Sequence, residues 1–357
     1  LPTDIAFLAI AEAHQIYHWL PAALELARRP GVRVSVLSPS DTMLDLIGSY
    51  DPEGRLEQVR LRRPPLQADS LFRQPSRFAT LLLNHRRIAR YPLIVTTEVS
   101  SARLRHMPGF SSRMIHIKHG AGDREGGYKK GHAAFDLTIV GGEKDKRRLI
   151  ARGLGTQDNV RVGGYPKFEL KAGRQRFFSD DKPVLLYNPH FDAKLSSWIN
   201  HSPAVMAALE SLTDWNVIIA PHVKLAQRVP PIVSAAPHIR VDMGSRHSID
   251  MSYTMSADLY LGDVSSQVYE FLIAPRPCIF LNLDHHDAAG GAFSHWRLGQ
   301  VIDGMDALAP ALARANGLQA GFRDVQETAM RDSIDQSPIP ASQRQADIIL
   351  DFLKGAA

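Results

Sequence analysis

One cysteine, Cys278, is all the chain carries, so no disulfide can close within it, and a reducing, cytoplasmic compartment is the expectation. Long apolar runs are missing too. Stretches such as residues 217–220 and 278–281 are far too short to cross a bilayer. The first residues have no basic region ahead of an apolar one, and residues 5–11 read as a strand, so no signal peptide is expected. Aromatics make up only 8% of the chain, and no zinc-knuckle spacing, helix-turn-helix pattern or aromatic platform occurs, which argues against nucleic acid as a partner. Metal motifs are lacking as well. His14 and His18 stand four apart without a carboxylate–histidine partner, and the loop holding His285, His286 and His295 has only Asp284 and Asp287 for acids. Neither a metal nor a cofactor is expected. There is no internal repeat and no low-complexity tract.

What is present is ordinary globular material: 357 residues, 44% hydrophobic and 22% charged, enough for two domains. The net charge is +5. It is concentrated in Arg55, Arg60, Arg62, Arg63, Arg73, Arg77, Arg86, Arg87 and Arg90. Such a stretch is either a solvated helix surface or a face for an anionic inner-membrane surface or a phosphorylated acceptor.

In chain order, strands are predicted at residues 5–11, 32–37, 93–96, 113–117, 137–140 and 160–162, with helices around 21–29, 41–48, 76–91 and 144–152. Residues 55–65, basic and ending in Pro64-Pro65, read as a loop. The second half repeats the rhythm, with strands at 183–187, 216–220, 239–241, 259–261 and 278–281 and helices at 204–212, 306–315 and 342–354. The fold class is α/β: two facing Rossmann-like, doubly wound domains with a cleft between them. The first domain spans 1–168, the second 180–340, and residues 341–357 form a C-terminal helix.

Four polar turns stand at predicted carboxyl ends of strands, where open α/β sheets bind ligands. They are His119-Gly120, Asn188-Pro189-His190, Pro221-His222-Val223-Lys224 and Asp263-Val264-Ser265-Ser266. The last opens a short helix whose backbone N–H groups would face an anion, while Asp263 or Ser265 could equally cap that helix. After His119 comes a loop with four glycines in eight residues, able to approach a ligand closely, which includes Asp123 and Arg124. His14, at the first strand-to-helix junction, would face the same cleft.

In the order and spacing of these segments, together with Gly164-Tyr165-Pro166-Lys167 and Pro275-Arg276-Pro277, the chain resembles the CDP-glycerol glycerophosphotransferases of teichoic-acid and capsule synthesis, which have the GT-B fold. The resemblance covers roughly residues 113–282. It implies a transferase that moves a glycerophosphate, or a related polyol-phosphate or glycosyl group, from CDP-glycerol or another nucleotide diphosphate donor to a glycan or lipid-linked acceptor. It implies that His119 is the base on the acceptor hydroxyl, or orients it, and that His222 lies on the donor pyrophosphate. Ser265 and Ser266 would bind phosphate, with Asp263 near them and Lys224 neutralising the leaving group. Asn188, His190, Gly164 and Glu270 would line the nucleotide side, and His14, Gly120, Asp123 and Arg124 the acceptor side.

The chain departs from the family pattern in two places. Thr-Pro usually follows the His-Gly, where this chain has Ala121-Gly122, and after Asn188-Pro189 it has His190-Phe191-Asp192. Both lie where acceptor and donor would bind, so UDP-sugar transfer stays open. A nucleotide-sugar 2-epimerase shares the fold; its carboxylates would come from Asp123, Glu125 and Glu143. A non-catalytic nucleotide- or glycan-binding module is the third alternative.

Overall fold

The chain's apolar runs are short and nearly continuous, as parallel strands covered on both faces require. In the computed structural model, which describes residues 3–355 apart from 66, 68, 72, 124–126 and 288–290, every strand pair is parallel. The chain divides into two units, the first comprising Leu1–Gly120, Tyr128–Leu170 and Asp332–Ala357, the second Ala121–Gly127 and Lys171–Arg331.

The first unit contains β1 (Thr3–Leu8), α1 (Leu20–Ala27), β2 (Val32–Ser38), α2 (Asp41–Gly48), β3 (Glu57–Arg60), α3 (Arg77–Ile88), β4 (Leu93–Thr96), β5 (Arg113–Ile117), β6 (Leu137–Val140), α4 (Glu143–Ala151) and β7 (Val160–Val162). Its seven strands run β3-β2-β1-β4-β5-β6-β7. The order reverses between β1 and β4, the switch point at which such sheets bind ligands. One apolar cluster fills a face of this sheet with Leu8, Leu37, Leu81, Ile88, Ile94 and Met114.

The second unit has β8 (Val184–Asn188), α5 (Ser197–Glu210), β9 (Asn216–Ile219), α6 (Val223–Ala226), β10 (Ile239–Val241), α7 (Ser252–Ser256), β11 (Leu259–Gly262), α8 (Gln267–Phe271), β12 (Cys278–Leu281), β13 (Gln300–Ile302) and α9 (Leu308–Ser333). The order β10-β9-β8-β11-β12-β13 repeats the same winding, with its switch point between β8 and β11. Leu185, Tyr187, Val217, Leu259, Ile279 and Leu312 share its core. The last helix, α10 (Ala341–Lys354), belongs to the first unit: it lies on α1, and Arg29 pairs with Asp347 at 2.9 Å.

Several elements differ from expectation, among them the short helices α6 and α7, which were not predicted, and β1, which ends at Leu8 rather than residue 11. β3 lies inside the predicted loop, because as an edge strand it buries only Val59 and leaves no apolar run to read. β13, three residues long, has no sequence signature. α5 starts at Ser197, ahead of Pro203, with Ser196 accepting a cap bond from the Ile199 N–H at 3.3 Å. α9 runs 26 residues rather than the predicted ten, its polar second half held by Gln326, whose amide donates to Arg276 O at 2.9 Å and Leu298 O at 2.8 Å. Among the described residues no helix is long and apolar enough to cross a membrane.

Candidate functional site

In the first unit the strand ends at and beside the switch point gather histidines. The turn after β1 carries His14 and His18, and His119 follows β5; both rings have centroids 6.1 Å from that of His119. The His119 Nδ1 lies 3.2 Å from the Thr97 carbonyl, which only accepts, so in the neutral ring the proton sits on Nδ1 and Nε2 holds the lone pair. That is the tautomer of a base. The same carbonyl, with its second lone pair, accepts from His116 Nε2 at 3.2 Å. Tyr165 packs edge-on to His18 at 4.8 Å, and the buried Lys167 ammonium lies 5.8 Å over the Tyr17 ring. Beneath, Lys118 pairs with the buried Asp145 at 3.0 Å and donates to Gly120 O at 3.3 Å; Gly120 itself sits at φ +71°, where a side chain would be strained.

Burial pushes His18 well below its ordinary pKa, with the charges of Lys167, His119, His14 and Lys118 adding to it. Burial does the same to His116 and, less strongly, to His132. All three resist protonation in the native state, His18 and His116 most strongly, whereas the unfolded chain protonates them below about pH 6.5. Stability from these groups is therefore full above that pH and is lost below it, by up to about 1.4 kcal/mol per histidine per pH unit. Asp263 works in the opposite direction. Burial lifts its native pKa to about 6 from 3.8, so its contribution grows as pH falls through that window. Between pH 7 and 5.5 the first unit is expected to lose hydrogen-exchange protection in β5 and β6 while β8 and β11 keep theirs, once intrinsic rates are corrected. Equal loss in both units would contradict these pKa shifts.

In the second unit the turns after β8 and β9 meet around Phe191. The His190 and His222 rings lie 4.3 and 4.6 Å from it, the Lys224 ammonium 5.2 Å and the Arg228 guanidinium 5.7 Å. His222 Nδ1 accepts from the Lys224 N–H at 3.1 Å, and His190 Nδ1 from the Asp192 N–H at 3.1 Å. A backbone N–H only donates, so both neutral rings carry their proton on Nε2. These are donors, as an anion site needs, and they stand beside two fixed positive charges.

Other predicted residues serve the fold. The Asp263 carboxylate is buried and accepts from His190 N at 2.9 Å, Ser197 N at 2.8 Å, Ser197 Oγ at 2.9 Å and Val264 N at 2.7 Å. It ties β11 to the turn after β8 and neither caps α8 nor stands ready for a phosphate. Asn188 is likewise internal, donating to Ala220 O at 2.6 Å and accepting from Tyr260 OH at 3.2 Å. Gly164 lies in the first unit at φ +82°, where a Cβ would meet Arg344 and Ala341 of α10. Asp123 groups with the second unit and accepts from Tyr269 OH.

Ser265 is buried and accepts from the Gln267 N–H at 3.3 Å; Ser266 is exposed at the start of α8, and Glu270 is buried on that helix. Arg124 and Glu125 lie outside the described residues. Of the loop histidines, His295 donates to Asp263 O at 2.9 Å, and among the described residues no group of three or more His, Cys, Asp or Glu could hold a metal.

Sequence reasoning passed over Phe191, Arg228, Tyr165 and Lys167 as site residues, and also an ion-pair bridge. Arg77 joins Glu12, after β1, to Glu98, after β4, the latter at 2.7 Å. Tyr165 and Lys167 were visible only as part of the Gly164-Tyr165-Pro166-Lys167 segment and Phe191 only as a departure from the family pattern; Arg228 and the Arg77 bridge had no signal of their own.

No protein family matches the chain, and no curated protein does. Solved structures do. The wall teichoic acid polymerase TagF, in a form soaked with CDPG, aligns over 100% of this chain and 90% of its own at 14% identity and a TM-score of 0.66. A UDP-GlcNAc 2-epimerase from Neisseria meningitidis bound to UDP-GlcNAc aligns over 99% of this chain and 100% of its own, at 12% identity and 0.65. A glycotransferase of kitacinnamycin covers 98% and 99%, at 14% identity and 0.61. The chain therefore has the GT-B-like, two-domain α/β fold, which these polymerase, epimerase and transferase structures share.

Proposed function

We propose that the protein is a transferase that moves a glycerophosphate, or a related polyol-phosphate or glycosyl group, from a nucleoside diphosphate-linked donor to a hydroxyl of a cell-surface glycan or lipid-linked acceptor. One observation carries this: the tautomers are fixed in opposite senses, His119 with its lone pair on Nε2, His190 and His222 with Nε2–H donors beside Lys224 and Arg228. Transfer to a hydroxyl needs both kinds, a base for the nucleophile and fixed donors for the charge on the leaving group.

With CDP-glycerol, the acceptor oxygen attacks the phosphorus that bears the glycerol, and the bond from that phosphorus to the bridging oxygen breaks. CMP leaves with the electron pair, and the acceptor proton passes to His119 Nε2. His222, His190 and Lys224 hold the diphosphate, while Ser266, exposed at the start of α8, adds a hydroxyl. Cytidine is the favoured base, from the family resemblance of the segments. Epimerisation fits less well. Of its expected carboxylates, Asp123 is buried and accepts from Tyr269 OH, and Glu143 stands exposed on α4.

The test is binding of nucleoside diphosphates to the native protein. His222→Ala and Lys224→Ala should each weaken CDP binding by about tenfold or more, the scale of one lost charge-assisted hydrogen bond of ~1.5–3 kcal/mol. Interconversion of a nucleotide sugar with no acceptor present would move the function to epimerisation.

A further inference from the structure

Helix α3 has a buried and an open side, and the open side is not an ordinary one. Thr80, Leu81, Asn84 and Ile88 are buried, and Asn84 anchors the helix by donating to Arg62 O at 2.9 Å. On the other face Phe78, Leu82 and Leu83 are exposed by 52, 51 and 48%. Phe78, Leu82 and Arg86 follow one another at four-residue spacing, which places them in a single row along the helix. Arg87 and Arg90 continue the exposed face, and Arg103 stands 5.2 Å over the Phe78 ring. Not one Asp or Glu occurs between residues 70 and 97. Among the described residues no other element exposes three large apolar side chains.

We infer that α3 docks the protein on an anionic phospholipid bilayer, lying in the interface with Phe78, Leu82 and Leu83 among the acyl-chain ends and Arg86, Arg87, Arg90 and Arg103 on the headgroup phosphates. A large exposed apolar patch marks an interaction surface, and here its rim is of one sign. An amphipathic helix with arginines beside its apolar row matches a charged bilayer on both counts. Nucleic acid would answer the arginines and leave the three apolar side chains in water. This surface does not depend on the transferase proposal, since none of these residues takes part in it.

Sedimentation with vesicles of phosphatidylcholine, with and without phosphatidylglycerol, tests it. The native protein should bind only the anionic vesicles, and less well at high salt. Arg86→Glu with Arg90→Glu should weaken binding roughly 25-fold or more, at about fivefold per arginine. Phe78→Ser with Leu82→Ser should weaken it on the order of a hundredfold, since several buried methylenes are lost. Both variants alter exposed positions and should keep the native melting temperature. No binding to anionic vesicles by the native protein, unchanged binding by both variants, or capture of a labelled RNA oligonucleotide in place of vesicles would overturn the inference.

Discussion

His119→Ala is expected to lower the rate of nucleotide release in the presence of acceptor by about 10²–10⁴-fold, the range for loss of a general base. The Thr97 carbonyl fixes the ring so that Nε2 is the basic atom, and the His14 and His18 ring centroids lie 6.1 Å from it. His18 cannot take over by becoming a cation, because burial holds it neutral. Donor affinity should change little, since the ring contributes to proton removal and not to holding the diphosphate; kcat should fall while the Kd for CDP stays. A fall of less than threefold, measured as CMP released from CDP-glycerol, would remove His119 from the chemistry.

Asp263→Ala should be the most destabilising single change in the second unit. Its carboxylate meets four donors from three segments, and its own carbonyl accepts from His295 Nε2 at 2.9 Å and Trp296 Nε1 at 2.8 Å. Alanine leaves those four donors buried without an acceptor, at a cost of about 3–5 kcal/mol. For a domain of this size that corresponds to a drop on the order of 10 °C in Tm. Asp263→Asn keeps the volume but turns an amide N–H₂ toward donors, so it should recover only part of the loss. Scanning calorimetry decides it. A loss below about 1 kcal/mol would mean the carboxylate is dispensable to the fold.

These two residues also mark how far the sequence could be read. Strands such as Leu93–Thr96 and Cys278–Leu281 were legible to the residue, because each is a short apolar run closed by a polar turn, and Arg113–Ile117 because it leads straight into the glycine-rich loop after His119. β3 was not, since only one of its side chains faces the core. In the turns the histidines could be flagged by position alone. What Asp263 and Asn188 do could not, because an acid or an amide at a strand end serves a ligand or a neighbouring backbone equally well. The partners that decide it for Asp263 are His190 and Ser197, 73 and 66 residues away in the chain. The direction of each imidazole proton was hidden for a similar reason. His119 depends on a carbonyl 22 residues earlier, whereas His222 depends on an N–H two residues on.

The most direct test of the central claim is the melting temperature of the native protein across CDP, CMP, UDP, ADP and GDP, because a ligand that binds the folded state stabilises it by RT ln(1 + [L]/Kd). CDP at a hundred times its Kd should add about 2.7 kcal/mol, a rise of several degrees, with CMP weaker for want of the second phosphate and with the shift lost in His222→Ala. A shift with UDP and not CDP would keep the anion site and move the donor to a UDP-sugar. No shift with any nucleoside diphosphate would contradict the account.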